Sequence, residues 1–152
     1  MTIRLARIED EDLLYELVNK EDSLRWKRKT RNKINKSEHK KWFNESLFNK
    51  FCRIWIIQNN KENIGQVRIK LIKNIADVDI YLLKNFRGKG YASKSLIRAI
   101  KQFSKDFDLI YFRAFVHKEN ISSINLFKKN RFILQNSNEE KWNQLILFHE
   151  EG

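Results

Sequence analysis

A short turn with two closely spaced glycines is the part of this chain best suited to holding an anion. The chain has four glycines and no proline, yet Gly88 and Gly90 lie two positions apart, with Arg87 and Lys89 beside them. An apolar stretch ends just before the turn, and an amphipathic helical pattern begins at Tyr91. Free amides at a helix start, the positive end of the helix dipole and flanking cations all favour a phosphate group. The turn is therefore a candidate phosphate site, although an ordinary strand-to-helix turn would show the same pattern.

The spacing of the glycines excludes two common nucleotide motifs. A dinucleotide fingerprint needs a third glycine at a fixed offset within a βαβ unit, and a triphosphate loop ends in Gly-Lys-Ser/Thr. Neither follows Gly90, which is succeeded by Tyr91, Ala92 and Ser93. The turn is a phosphate-site candidate of another kind.

Groups that could move a proton lie elsewhere in the chain. Asp77 and Asp79 share one face of a predicted strand, and His39 lies near the start of a predicted helix. Because an imidazole titrates where an amine must lose its proton, His39 is a candidate base, and the two aspartates are the carboxylate alternatives. A cap or surface role for His39 and ion pairing of the aspartates stay open. His117 is expected to be exposed just before the Asn120 turn, with a position near the cofactor left open, and Cys52 is expected to be a core residue.

The hydrophobic pattern predicts the elements that must position these groups. A basic segment at 25–36 is expected to be a loop or a broken helix. The predicted helices cover residues 9–18, a segment capped by Ser37 that ends at 48, 91–103 and 121–129. The predicted strands cover residues 3–5, 51–58, 64–72, 76–83, 109–116, 132–134 and 142–148. This order predicts one α/β domain over residues 1–152, with helices on both faces of the sheet.

Composition excludes several classes of protein. The chain has 41% hydrophobic and 12% aromatic residues, too many for a disordered tail. It has no apolar run long enough for a membrane helix, and its charged N-terminal residues do not suit a signal peptide, so we expect a cytoplasmic protein. The single cysteine excludes an internal disulfide and cannot by itself form a zinc site, so no metal is expected. The formal charge of +12 favours an anionic partner.

Three groups of residues, in order along the whole chain, resemble the GCN5-related N-acetyltransferase (GNAT) family. The acetyl-CoA motif of that family, Gln/Arg-x-x-Gly-x-Gly/Ala, is matched by Arg87, Gly90 and Ala92. The other matches are Arg4-x-Ala6 with Asp10-x-Asp12 near the start, and Ala114-x-Val116 with Asn120-x-x-Ser123-x-x-Leu126-Phe127-x-Lys129-x-x-Phe132 near the end. The resemblance implies a mixed, mostly antiparallel sheet splayed at the cofactor strand. It also implies acetyl transfer from acetyl-CoA by direct attack of an amine.

The resemblance also implies which residues contact acetyl-CoA. Backbone groups of residues 80–82 would bind the pantetheine arm, amides of residues 87–93 the pyrophosphate, and Asn120 the pantetheine or the thioester region. The implied cofactor contacts are Ile80, Tyr81, Leu82, Arg87, Gly88, Lys89, Gly90, Tyr91, Ala92, Ser93, Asn120, Ser123 and Phe127. The catalytic candidates are His39, Asp77, Asp79 and Asn120.

Two positions depart from the family pattern. Phe127 stands where the family often has a tyrosine that protonates the departing thiolate, and phenylalanine cannot do so. Tyr81, Tyr91 and Tyr111 are the replacement candidates, unless the thiolate leaves without an acid. Arg131 replaces the usual glycine before Phe132.

A finer resemblance points to the acetyl acceptor. His39-x-x-Trp42-Phe43 and the segment 64–68 resemble the subgroup that acetylates amino groups of nucleotide-linked sugars in pseudaminic-acid-type pathways. The implied substrate contacts are Arg25, His39, Trp42 and Arg68. Cations at Arg25, Lys27, Arg28, Lys29 and Arg31 suit a UDP group, and Trp26 or Trp42 could stack on its base or sugar. Helix-core packing of Trp42 and Phe43 is the alternative.

Three other functions stay open at this point. One is acetylation of a protein N-terminus, as in the ribosomal-protein branch of the family. Another is nucleic-acid binding by the nine basic residues between positions 25 and 41, but the chain carries no recognised nucleic-acid motif, which argues against it. The third is binding of acetyl-CoA without turnover, suggested by Phe127. The final strand pair is also a candidate edge for a homodimer.

Overall fold

The computed structural model describes residues 1–28 and 32–149, and within them seven strands form one mixed sheet. The strands are β1 (Thr2–Leu5), β2 (Cys52–Asn59), β3 (Glu62–Ile72), β4 (Ile75–Leu82), β5 (Tyr111–His117), β6 (Ile133–Gln135) and β7 (Trp142–Phe148). Their order in the sheet is β1-β2-β3-β4-β5-β7-β6. All neighbouring strands are antiparallel except β4 and β5. The predicted fold class is confirmed.

Five α-helices lie in the described residues and differ from the prediction in two places. They are α1 (Glu11–Val18), α2 (Glu21–Leu24), α3 (Lys36–Phe48), α4 (Tyr91–Asp106) and α5 (Ile121–Lys129). The short helix α2 was not predicted. The cap of α3 is Asn35, whose side-chain oxygen accepts from the Glu38 amide at 2.8 Å, whereas the sequence favoured Ser37. None of the helices in the described parts of the chain is long and apolar enough to cross a membrane.

Apolar residues pack on both faces of the sheet. Because side chains alternate along β2, Trp55 and Ile57 point to one face while Ile54 and Ile56 point to the other. The larger core lies under α4 and α5 and includes Val67, Val78, Leu96, Phe103, Phe112 and Phe127. The smaller core, here called the α3 core, contains Leu14, Leu17, Phe43, Cys52, Ile54 and Ile56. The two cores hold the sheet rigid between its helices.

The parallel pair β4 and β5 separates partway along its length. Register pairs join Ile75 to Tyr111, Ala76 to Phe112 and Asp77 to Arg113. Pairing ends there, although β4 continues to Leu82 and β5 to His117. The carboxyl-terminal halves of these two strands therefore form the two sides of a gap in the sheet.

The chain leaves α5 through a left-handed residue that is not glycine. Arg131 has φ of 71°, and its amide donates to the Lys128 carbonyl at 3.1 Å, while the Phe132 amide donates to Phe127 at 3.0 Å. These bonds cap the end of α5. The backbone conformation that suits glycine is thus kept at Arg131, at a cost of about 1–2 kcal/mol for an L-residue.

Candidate active site

A cleft of about 580 Å³ lies where β4 and β5 separate. One side is formed by residues 78–82 of β4 and the other by residues 115–117 of β5. Of the cofactor contacts implied by the sequence, every one except Lys89 lines it, namely Ile80, Tyr81, Leu82, Arg87, Gly88, Gly90, Tyr91, Ala92, Ser93, Asn120, Ser123 and Phe127. The fold thus brings three separate stretches of sequence to one cavity.

The glycine turn leads directly into α4 at the edge of the cleft. Gly88 and Gly90 have φ of 78° and 81°, and Gly90 is the N-cap of α4. A Cβ added at either position would meet no described atom within 4 Å, so left-handed backbone geometry explains the glycines here. The first-turn amides of a helix lack intrahelical acceptors. Those of Tyr91, Ala92 and Ser93 therefore offer donors beside the cleft.

Arg87 lines the cleft and also makes contacts that the sequence did not predict. Its Nε donates to the Leu82 carbonyl at 2.9 Å, and its Nη2 donates to Oδ2 of Asp22 at 2.7 Å. The other oxygen of Asp22 accepts from the Tyr81 hydroxyl at 2.6 Å. We call these three side chains the Asp22 clip, because they tie α2 to the end of β4 and to the glycine turn. The charge of Arg87 is largely compensated by Asp22 instead of being free to attract an anion.

The clip fixes the protonation of its members. Burial favours the neutral form of Asp22, but hydrogen bonds from Tyr81 and Arg87 outweigh it and lower the pKa of this carboxyl. Burial, followed by the hydrogen bond to Asp22, raises the pKa of Tyr81. Tyr81 therefore holds its proton tightly. It is poorly suited to replace the missing tyrosine acid.

The other acid candidates are separated by the fold. Tyr111 packs against Phe148 with ring centroids 5.8 Å apart and does not line the cleft. Tyr91 does line it, and its hydroxyl makes no hydrogen bond with the described residues. Phe127 also lines the cleft and is 3% exposed, with its ring 5.0 Å from that of Phe132.

The two aspartates of β4 occupy different environments. Asp77 pairs with Arg113 through contacts of 2.7 and 3.1 Å where the strands are still joined, and it does not line the cleft. Asp79 lies in the cleft and accepts from Gln66 Nε2 at 3.1 Å. Burial favours its neutral form, but the charges of Lys27 and Arg68 and this hydrogen bond outweigh burial and lower the pKa of Asp79. Asp79 is therefore a charged carboxylate at neutral pH.

His39 lies in the α3 core and does not line the cleft. It is 2% exposed, and its ring lies 5.4 to 6.3 Å from those of Tyr15, Trp42 and Phe43. Neither ring nitrogen has a hydrogen-bond partner among residues 1–28 and 32–149. Burial lowers the pKa of His39, against a smaller opposing effect of Glu11. Because side chains at i and i+4 lie on the same face of a helix, position 39 faces inward with Phe43, one turn further along α3.

The predicted substrate contacts are also divided. The Arg68 guanidinium lies 5.2 Å from the centre of the Trp42 ring, and neither side chain lines the cleft. Arg25 does not line it either, but it lies 4.7 Å over the Trp26 ring, and Trp26 does. Lys27 lines the cleft as well.

The remaining cations of the basic segment have other roles in the structure. Arg28 pairs with Glu139 at 2.9 Å and lies 3.9 Å over the Phe115 ring. These contacts connect the segment after α2 to β5 and to the loop before β7. Lys29 and Arg31 lie outside the described residues.

Two cleft residues, Asp22 and His117, were absent from the site predicted from the sequence. Asp22 gave no signal, because its partners lie 59 and 65 positions away. His117, expected to be exposed, is 6% exposed and lines the cleft between Trp26 and Trp142, with ring centroids 5.3 and 5.2 Å away. Its Nδ1 accepts from the Glu119 amide at 3.1 Å. The alternation of β5, which places position 117 on the face of Arg113 and Phe115, was the signal available for it.

The chain is similar to proteins of one family over most of its length. A family model described as the acetyltransferase (GNAT) domain matches residues 1–133. A domain from Methanocaldococcus jannaschii superposes with a TM-score of 0.85 at 18% identity, covering 97% of both chains. RimL, a ribosomal-protein alpha-N-acetyltransferase in complex with coenzyme A, gives 0.81 at 18% identity, covering 96% of this chain and 92% of that one. Spermidine N-acetyltransferase from Vibrio cholerae, with CoA and spermine, gives 0.81 at 17% identity, covering 97% and 94%. The search of curated proteins finds no match.

Proposed function

The chain belongs to the GNAT acetyltransferase family and is an acetyl-CoA-dependent N-acetyltransferase, and we propose that its acceptor is the amino group of a nucleotide-linked (UDP) amino sugar. The observation that carries the site assignment is the gap between β4 and β5 with the glycine turn at its edge. Acetyl-CoA supplies a thioester that an amine can attack directly. The proposal is that both substrates occupy the cleft together.

The residues of the cleft fit the acetyl donor. The unpaired edges of β4 and β5 offer backbone groups for the pantetheine arm, with residues 80–82 in the position of a partner strand. The amides that start α4 suit the pyrophosphate, with Gly88 and Gly90 setting the turn. Asn120, which caps α5 by accepting from the Ser123 amide at 3.3 Å, would orient the thioester end. A strand amide near Leu82 would stabilise the negative charge that develops on the carbonyl oxygen.

Charge supports an anionic acceptor over a polycationic one. Three carboxylates line the cleft: Asp22 is offset by Arg87 at 2.7 Å, Asp79 by the nearby charges of Lys27 and Arg68, and Glu119 is exposed to solvent. A chain of formal charge +12 also repels a polyamine at a distance. Lys27 beside Trp26 offers a cation and an aromatic face, which suit the phosphates and the base of a nucleotide.

Asp79 is proposed to orient the attacking amine. A carboxylate with a lowered pKa is a weak proton acceptor, but it holds an amino group firmly by a charge-assisted hydrogen bond. The proton lost by the amine then passes to solvent through the open side of the cleft. The thiolate leaves without an acid at Phe127 or takes its proton from Tyr91, the candidate whose hydroxyl makes no hydrogen bond with the described residues.

The proposal also includes that the protein is a homodimer in the cytoplasm. β6 forms one edge of the sheet, and Ile133 and Leu134 on it are exposed by 57% and 42%. An exposed apolar edge strand is a surface that a second copy can cover.

The function is tested with three acceptors, each offered alone with acetyl-CoA: UDP-glucosamine, spermine and a peptide with a free N-terminus. Release of the CoA thiol measures turnover. We expect turnover with UDP-glucosamine. Turnover with spermine or the peptide alone would overturn the acceptor and keep the transferase, whereas absence of acetyl-CoA binding in calorimetry would overturn the donor site itself.

The role of Asp79 is tested with a matched pair of variants. Asp79→Asn should lower kcat/KM about 100-fold, because a misoriented amine loses its near-attack geometry, and should leave the affinity for acetyl-CoA unchanged. Asp77→Asn removes the equivalent charge two residues earlier on the same strand, outside the cleft. Equal losses in the two variants would show that Asp79 has no special part in the reaction.

A further inference from the structure

We propose that His117 is a fixed hydrogen-bond donor that selects acceptors carrying an oxygen close to their amino group. The inference rests on the proposed function, because it concerns the acceptor end of the same cleft. It assigns a role to a residue that lies outside the motifs of the sequence, and it narrows the class of amine that the enzyme takes.

One contact fixes which nitrogen of His117 carries the proton. Nδ1 accepts from the Glu119 backbone amide at 3.1 Å, and a nitrogen that accepts a hydrogen bond cannot itself hold a proton. The neutral ring must therefore carry its hydrogen on Nε2. This tautomer can donate a hydrogen bond from Nε2 but cannot accept a proton there. His117 is consequently a donor and not a general base.

The surroundings of the ring direct this donor into the cleft. Trp26 and Trp142 flank the ring at 5.3 and 5.2 Å, and the side chain is 6% exposed. Within the described residues Nε2 has no hydrogen-bond partner, and His117 lines the cleft. Unlike the nitrogens of His39, Nε2 of His117 is open to solvent in the cleft, so an acceptor that brings an oxygen to it forms a hydrogen bond that another amine lacks.

The position of His117 on the sheet places it at the acceptor end. Side chains alternate along β5, so His117 shares a face with Phe115, while Ala114 and Val116 point to the core under α4 and α5. Asp79 lies on the opposing strand β4 and also lines the cleft. An acceptor that spans the gap would meet the carboxylate of Asp79 on one side and the donor of His117 on the other. Hydroxyl or phosphate oxygens of a nucleotide sugar meet this requirement.

Nitrogen NMR tests the tautomer without any turnover. In protein labelled with ¹⁵N-histidine, the His117 signals should show the Nε2–H form at pH 7, and addition of UDP-glucosamine in the presence of CoA should shift the Nε2 resonance. A ring protonated on Nδ1 or on both nitrogens, or an Nε2 resonance that does not respond, would overturn the proposal.

The KM values of two variants test whether His117 selects the acceptor. His117→Phe keeps the aromatic shape without the donor, and should raise the KM for UDP-glucosamine by about 10-fold or more, as expected for one lost buried hydrogen bond. His117→Gln places an N–H at a similar distance and should restore much of the loss. Both variants should bind acetyl-CoA as the unaltered protein does.

The other buried histidine supplies the control. His39→Phe makes the same replacement away from the cleft, and should leave the KM unchanged. If the KM of His117→Phe for UDP-glucosamine equals that of His39→Phe, His117 does not contribute to the selection of the acceptor. If spermine or the peptide is the amine turned over, the proposed acceptor class fails, and the same variants measured with that amine decide the role of His117 separately.

Discussion

Two buried histidines differ in their surroundings and in their hydrogen bonding. His39 and His117 are 2% and 6% exposed. His39 packs in the α3 core against Tyr15, Trp42 and Phe43, and both of its nitrogens lack partners among the described residues. His117 has one nitrogen held by a backbone amide and lies at the cleft. A titratable residue in an apolar setting therefore does not mark a site unless its polar atoms are held and directed.

The sheet explains why one region can bind ligands and the other cannot. In the α3 core, β2 is paired on both sides, to β1 and β3, so neither of its edges is open, and α1 and α3 pack against its face. At the cleft, β4 and β5 lose their pairing after Asp77 and Arg113. The resulting gap leaves strand edges and a helix N-terminus facing the same space. The candidate site therefore lies where the pairing of β4 and β5 ends.

The largest expected effect is a loss of affinity for acetyl-CoA. Gly90→Glu places a carboxylate at the start of α4, where the pyrophosphate of acetyl-CoA is proposed to bind, and forces a side chain onto a residue with φ of 81°. Acetyl-CoA affinity should fall at least about 100-fold, from repulsion between like charges and the lost helix-terminus contacts. Isothermal titration calorimetry measures the affinity.

The control for this change lies on the same helix. Ile97 is 42% exposed on α4 and does not line the cleft, so Ile97→Glu adds the same charge without entering the site. It should bind acetyl-CoA normally. If Gly90→Glu also binds normally, the glycine turn is an ordinary helix start and the donor site lies elsewhere.

The cleft was predictable from sequence where its parts are local. The strand, glycine turn and helix follow one another between residues 76 and 103, so hydrophobic periodicity and the positive-φ preference of glycine were sufficient. The Asp22 clip joins residues 59 and 65 positions apart, and no local pattern encodes such a contact. His39 was a candidate base in the sequence, but its spacing of four residues from Phe43 places it in the α3 core.

An intermediate effect, on the free energy of unfolding, tests whether the role of His39 is structural only. His39→Leu replaces a ring that has two unsatisfied nitrogens in the described structure with an apolar side chain of similar size. Removing buried, unpaired polar atoms should raise the free energy of unfolding by about 1 kcal/mol, measured by urea denaturation. Turnover should be unchanged. A large loss of kcat with unchanged acetyl-CoA affinity would instead restore His39 as the base that the sequence suggested.

The smallest expected effect is a dependence of stability on pH. Burial lowers the pKa of His39 in the folded protein, while in the unfolded chain it is close to 6.5. As the pH falls below about 6.5, the unfolded chain binds a proton that the folded protein does not, so the free energy of unfolding should decrease. The aspartates with lowered pKa values, Asp10, Asp22 and Asp79, act in the same direction, because the unfolded chain again binds the proton first, but they do so only near and below pH 4.

The pH range in which stability is lost therefore distinguishes the contribution of His39 from that of the three aspartates. Between pH 7 and 5, the slope of unfolding free energy against pH should be smaller in His39→Leu than in the unaltered protein, by at most about 1.4 kcal/mol per pH unit for one proton. Below pH 4 the two proteins should lose stability in parallel. Identical slopes between pH 7 and 5 would mean that His39 gains its proton while folded, and water would then have to reach the α3 core.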